Sequence, residues 1–397
     1  MKLFAQHGAQ EGEKINEAVS LGLIDGVIYS PRDVSLDALR GKLQALAQAD
    51  NKLQRLFDPQ YYASFLRGRE EARLGYLVED YAAYLQPRRR AQLERDQQVQ
   101  DDLAAAMKFQ TKLNVSAIIA PNILISRSFD SIEAVIAKSF IRQTAIQYAK
   151  LKDKRPVYAT LAISRDALSS EREELVEFLN EITVLDEPPH GFYVLVSARS
   201  AEARSDIYHA DVIARWMLIN HVLTINGFEV INGYSDILTP FLGAAGGEAG
   251  ALGWWSNLRA FSLDRFGPSP GGGRLPIQRY LSKRLLNRIT FYELDALRGT
   301  NPKILNGLSL DSLYDPRKGS EPARNKEVLQ SWEAVKALND AFATGDQVQD
   351  LVACLAAVKK AVAEYEDIQI QLDGKSNDEH LPPMADGVAA FKKLAEI

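Results

Sequence analysis

Four short stretches of this sequence place a serine and then an arginine just after an apolar run: Ser30-Pro31-Arg32-Asp33, Ser126-Arg127-Ser128, Ser164-Arg165-Asp166 and Ser197-Ala198-Arg199. A fifth arginine, Arg259, follows the Trp254-Trp255 pair. Guanidinium groups gathered in one place repel each other and lose hydration unless an anion meets them. Their planar fork matches phosphate or carboxylate oxygens bidentately. The set points to a phosphate-bearing ligand. In the competing reading the serines and aspartates are helix N-caps, and the arginines are solvated or paired with neighbouring acids.

Two carboxylates stand where they could do chemistry. Asp58 ends an apolar run and enters an aromatic one, Leu56-Phe57-Asp58-Pro59-Gln60-Tyr61-Tyr62. Burial there disfavours its charged form and suits nucleophilic or acid–base work. Asp236, in Gly233-Tyr234-Ser235-Asp236, is the second, although its place before a helix also fits an N-cap. His7 is the one histidine at a strand end. Tyr61, Tyr62, Trp254 and Trp255 could stack a flat ring. The turn holding Gly243, Gly246, Gly247 and Gly250 offers backbone N–H groups, with Gly246-Gly247 as a phosphate cradle. No strand ends in lysine, which disfavours a Schiff-base aldolase. No His-x-His pair sits at a strand end, so neither a metal nor a cofactor is expected.

These residues need a scaffold that brings strand ends together. Apolar bursts of strand length alternate with helical patterns: Leu3–Gln6, Gly26–Ser30, Leu53–Asp58, Ala117–Pro121, Val157–Ile163, Phe192–Val196, Glu229–Asn232 and the run ending at Trp254. Such runs lack polar alternation, so they are buried on both faces and hence parallel. Eight units predict a closed (β/α)8 barrel of the TIM type, in which strand C-terminal ends converge on one rim. An open doubly wound sheet is the alternative. The barrel is expected over residues 1–266. The stretch 59–116, with its tyrosines and a long polar helix over Arg88–Lys112, is expected as an insertion on the catalytic rim, acting as a lid, a partner surface or a wall-packing hairpin. A loop, Gly267–Pro276, ends the repeat. Residues 267–397 are expected to form a helical appendage, with a basic segment at Arg279–Arg288, a polar loop at Gly299–Ala323 and helices near 324–342 and 346–370.

The composition fits a globular chain of 397 residues with net charge −5. That excludes a uniformly basic nucleic-acid surface and leaves only local patches. The single cysteine, Cys354, excludes an intramolecular disulfide and fits a reducing compartment. With no signal-peptide pattern and no apolar run of membrane length, a cytoplasmic location is expected.

The stretch LFDPQYYAS (Leu56–Ser64) resembles the tRNA-guanine transglycosylase family, which exchanges a nucleobase through an aspartate nucleophile on a (β/α)8 barrel. The aspartate of GYSD (Gly233–Asp236) is similar to that family's second aspartate. The resemblance covers residues 1–266. The family's cysteine-rich zinc motif is absent, and its glycine-rich aspartate signature is not reproduced. The resemblance implies a barrel for a purine or deazaguanine-type base or nucleotide. Asp58 and Asp236 would then be catalytic, with His7, Arg32, Tyr61, Arg127, Arg165, Arg199, Gly246, Gly247, Trp254, Trp255 and Arg259 around the ligand. Two alternatives stay open. One is a non-catalytic barrel that binds nucleic acid or protein through 88–112 and 279–288; the other is a lyase or isomerase of a phosphorylated small molecule using His7 with Asp58. A homo-oligomer is allowed by either.

Overall fold

In the computed structural model, which describes residues 1–66, 72–202, 204–268, 276–315 and 321–397, nine parallel strands wrap into an eight-staved barrel. The strands are β1 (Lys2–Gln6), β2 (Gly26–Tyr29), β3 (Gln54–Phe57), β4 (Ile118–Ala120), β5 (Leu124–Ile125), β6 (Val157–Ser164), β7 (Gly191–Ser197), β8 (Glu229–Gly233) and β9 (Ala249–Leu252). Their order is β3-β2-β1-β9-β8-β7-β6-β4, and β5 extends the fourth stave along β6. The Pro121-Asn122-Ile123 break between β4 and β5 is satisfied by Asn122, which donates to the Thr160 carbonyl at 2.8 Å. The β3–β4 seam is drawn shut by Ser116, whose N–H donates to the Arg55 carbonyl (2.8 Å) and whose hydroxyl accepts the Arg55 N–H (2.9 Å).

The helices form where the apolar spacing asks for them. Ser35 caps Leu36–Ala49 by accepting the Ala38 N–H, and Leu39, Leu43 and Leu46 turn one stripe inward. Ser131 and Ser164 cap the helices after the fourth stave and β6 in the same way. The helical part of the 59–116 stretch divides in two. Asp96–Gln110 is an ordinary barrel helix rather than part of a rim insertion: Gln110 exchanges two hydrogen bonds with the Ile119 backbone, at 2.7 and 3.0 Å. Before it, the Tyr76 N–H donates to the Arg32 carbonyl past β2 and the Tyr84 hydroxyl to the Pro59 carbonyl past β3, which sets these residues over the rim.

The C-terminal region is helical, but it starts with sheet. Arg279–Ser282 (β10) and Asn287–Thr290 (β11) pair as an antiparallel hairpin, where the basic segment was expected to be helical. The hairpin has its own small core of Tyr280, Leu285, Ile289, Leu294, Leu297, Ile304 and Tyr314. The helix Arg324–Phe342 then returns to the wall, where Trp332 donates to the Leu252 carbonyl of β9 at 3.0 Å and Asn339 to the Met1 carbonyl at 3.2 Å. It fills the place of the eighth barrel helix. Leu381–Leu394 lies so close to Ala210–Ile225 that a Cβ at Gly387 would stand 2.8 Å from Ile213. Residues 269–275 of the Gly267–Pro276 loop and 316–320 of the Gly299–Ala323 loop fall outside the described residues. Among the described residues, no helix is long and apolar enough to cross a membrane.

Candidate functional site

Past the C-terminal ends of β7, β8 and β9 lies a cleft of about 530 Å³. The barrel contributes Arg204 and Tyr208 after β7, Tyr234–Ile237 after β8, and Trp254, Trp255 and Arg259 after β9. The opposite wall comes from the β10–β11 hairpin, Glu327 and Asp373–Lys375. The β8 turn is strained: neither Tyr234 (φ 54°) nor Asp236 (φ 41°) is glycine, yet both hold the left-handed region. Such a conformation costs on the order of 1–3 kcal/mol per residue and persists only where partners over-determine it. Here Tyr234 accepts from Arg265 at 2.7 Å, and Asp236 takes both arms of Arg288 at 2.8 and 2.7 Å.

Five cations (Arg204, Arg259, Arg279, Arg288, Lys375) line the cleft against four carboxylates (Glu202, Asp236, Glu327, Asp373), an excess of one positive charge. Most are committed. Arg288 is clamped on Asp236, Arg279 pairs with Asp373, and Lys375 with Glu202. Arg204 donates to the Lys375 carbonyl at 2.6 Å and to Asn287 at 3.1 Å. Arg259 is different. Its side chain is 19% exposed, and among the described residues the guanidinium has no hydrogen bond and a single long ion pair, to Glu327 at 3.7 Å. Burial pushes its pKa down, and the neighbouring Arg288 adds to that. The carboxylates diverge as well. Burial works to raise Asp236, but the charge and hydrogen bonds of Arg288 outweigh it and hold the group below the usual carboxylate range. Burial raises Glu327, and the fields of Arg259 and Arg288 offset this only in part. The cleft thus holds two carboxylates driven in opposite directions.

The barrel mouth itself is filled. Asp58 is 1% exposed and accepts from the Gln60 N–H (2.9 Å), Tyr62 (2.8 Å) and Tyr193 (3.4 Å). Burial pushes its pKa up to about 6 against those hydrogen bonds and the Arg265 charge. The chain after β9 folds back across it. Phe261 pairs its carbonyl with the Ala198 N–H at 2.9 Å, and Phe261 and Phe266 pack on Tyr62 with ring centroids 4.9 and 6.0 Å away. Arg265, its side chain 1% exposed, is anchored on Asp33 at 2.7 Å.

The structure therefore redistributes the residues expected at one site. Asp236, Trp254, Trp255 and Arg259 line the cleft; Asp58 is sealed beneath aromatic rings. His7 faces Glu11 at 3.0 Å, not Asp58, so the expected proton-transfer pair is not assembled. Arg32 is held by Asp33 and the Arg73 carbonyl. Arg165 and Arg199 both turn to Asp206, at 2.9 and 3.3 Å, while Arg127 is exposed; none of these four lines the cleft. The serines serve their own loops: Ser30 donates to Asp33, and Ser164 is an N-cap. Tyr61 donates to Asp102, which also takes a two-pronged contact from Arg88, and this ties the rim segment to the wall.

Gly246 and Gly247 are corrected outright. They precede β9, so they sit at the opposite, N-terminal end of the barrel. Gly246 adopts φ 100° just past a helix end, and a Cβ at Gly247 would meet the Leu242 carbonyl at 2.9 Å. They make a helix-ending turn, which cannot reach the rim. In the two basic segments, Arg284 pairs with Glu364, Arg279 with Asp373 and Arg88 with Asp102, while Arg89 and Arg95 are exposed. Arg288, Glu327, Arg204 and Tyr208 are among the cleft residues that strand-end reasoning missed.

No protein-family model matches the sequence, and no curated protein matches it at the sequence level. Among solved structures, the chain is similar to a glycoside hydrolase family 3 β-N-acetylglucosaminidase from Paenibacillus sp. str. FPU-7. The TM-score is 0.42 at 8% identity, covering 96% of this chain and 66% of that one. It is also similar to dihydrodipicolinate synthase from Oceanobacillus iheyensis, with a TM-score of 0.27 at 11% identity, covering 100% of this chain and 97% of that one.

Proposed function

We propose that this chain binds a nucleotide-class ligand, a flat ring carrying an oxyanion, in the cleft between the β7–β9 rim and the C-terminal hairpin. We propose further that nucleobase or glycosyl transfer there uses Asp236, a carboxylate that Arg288 holds in its ionised form, rather than Asp58. The observation that carries this reading is Arg259, a largely buried guanidinium with no hydrogen bond among the described residues. With one long ion pair, its hydrogen-bonding fork is left open to the cleft, so the group marks where a ligand's charge completes the set. Trp255, half-buried beside it, and Tyr208 provide ring surface for stacking.

The test is a thermal-shift screen of nucleobases, nucleosides and nucleotides on the wild type, Arg259→Ala and Asp58→Asn. A ligand present at about 100 times its dissociation constant adds ~2.7 kcal/mol. The expected result is a shift with nucleotides that disappears in Arg259→Ala and survives in Asp58→Asn. A shift that persists in Arg259→Ala removes the cleft as the site. One observation favours a second reading, a barrel that binds without turnover: the mouth, where TIM-type barrels place their chemistry, is occupied by Arg265, Tyr62 and Phe261. Ligand binding with no product on prolonged incubation selects that reading.

A further inference from the structure

Of the four carboxylates in the cleft, three are fully engaged. Asp236 is clamped by Arg288; Asp373 takes Arg279 and the Lys375 N–H; Glu202 takes Lys375 and Ser256. Glu327 is the exception. Its side chain is 13% exposed and starts the helix that closes the barrel. Its carboxylate takes a backbone hydrogen bond from Arg279, and its one ion pair among the described residues is the long 3.7 Å contact with Arg259. The two under-coordinated groups of the cleft are thus each other's neighbours. An oxyanion arriving at Arg259 comes within reach of Glu327, and an ionised Glu327 would repel it while competing for the same guanidinium.

Resting on the binding mode proposed above, we propose that the ligand's oxyanion docks on Arg259 and that Glu327 joins the site as a neutral carboxylic acid, donating a hydrogen bond to the same group. Each bound anion is then accompanied by one proton. A carboxylic acid supplies one O–H donor where a carboxylate supplies none, so the arrangement selects an anion with at least two acceptor oxygens, a phosphate or a carboxylate. The groups that face Glu327 are Arg259 from the β9 loop, Arg279 and Arg288 from the hairpin, Arg324 from its own helix, and Tyr314 from the segment before that helix. Despite four arginines, burial keeps the carboxyl above its ordinary range. An incoming negative charge moves it further in the same direction.

Inorganic sulfate, which does not titrate near neutrality, is the probe. Isothermal titration of the intact chain between pH 5.5 and 8 should show sulfate affinity falling by up to about tenfold per pH unit as pH rises above the Glu327 transition. In Glu327→Gln, which keeps the shape and the neutral donor, binding should persist and the pH dependence should flatten. In Arg259→Ala, binding should be lost, with thermal unfolding confirming that both variants are folded. Sulfate binding that needs Arg259 but has the same pH dependence in wild type and Glu327→Gln overturns the proton coupling while leaving the cleft as the site. Sulfate binding indifferent to Arg259, or none at all, overturns both.

Discussion

Asp58 offers the sharpest quantitative test of how the barrel mouth is built. Its carboxyl is almost wholly buried, and its pKa is raised from 3.8 to about 6 because burial outweighs three hydrogen bonds and a nearby guanidinium. The unfolded chain releases this proton near 3.8 and the folded chain holds it until about 6. Between those values the native state binds more protons, so stability falls as pH rises, and above the folded value the full penalty is present. That penalty is ~3 kcal/mol, at about 1.36 kcal/mol per pH unit. Asp58→Asn keeps an acceptor oxygen for the Gln60 N–H, puts its amide NH2 where the second oxygen met Tyr62, whose hydroxyl can turn to accept, and removes the charge. It should therefore stabilise the protein by ~2–3 kcal/mol at pH 7.5 and by little at pH 4. For a chain of this length that is roughly 3 °C in Tm. Thermal unfolding of both proteins at the two pH values is the assay. If Asp58→Asn lowers Tm equally at pH 4 and pH 7.5, the carboxylate is a favourable partner of Arg265 and the burial argument is wrong.

Two further outcomes follow from the geometry. Arg288→Ala leaves Asp236 buried, strained and without its clamp, and should cost about 3–5 kcal/mol in thermal unfolding; Arg288→Lys keeps the charge but loses the fork and should recover only part of it. Gly247→Ala should cost about 1–3 kcal/mol through the Leu242 carbonyl, Asn220 and Asn232, and should leave sulfate and nucleotide affinity unchanged, because the turn lies at the far end of the barrel.

The barrel was legible because its strands carry no polar alternation, and runs such as Val157–Ile163 and Phe192–Val196 admit few other placements. Asp236, Trp254, Trp255 and Arg259 were legible for a similar reason: residues just past a parallel strand must reach the rim. The same rule, applied with care, would have excluded Gly246 and Gly247, since a turn that leads into a strand belongs to its other end. The serine–arginine repeat misled because a charge's partner is a fact of three dimensions. Asp206, which takes both Arg165 and Arg199, follows Arg199 by a helical turn and a loop and carries no local mark of that role. Arg288 and Glu327 were missed for the related reason that they come from a hairpin and a helix far along the chain. Their approach to Asp236 and Arg259 is set by how those elements dock.

The position of the cleft follows from what fills the barrel mouth. In a TIM-type barrel the axis above the strand ends is normally left to the ligand. Here the segment after β9 crosses it, bonding to the end of β7 and inserting Arg265 between Tyr234 and Asp33. That crossing buries Asp58 and leaves the open space to the side, past β7–β9. A displaced site needs a second wall, and the hairpin supplies it on the side where Asp236 is exposed to Arg288. The helix after the hairpin then completes the barrel ring through Trp332 while presenting Glu327 at its start. The Asp236–Arg288 clamp ties the wall to the rim alongside Arg204, which bonds Asn287 and the Lys375 carbonyl, and Glu202, which pairs with Lys375, so loss of the clamp should loosen the cleft at β8 while the β7 contacts hold.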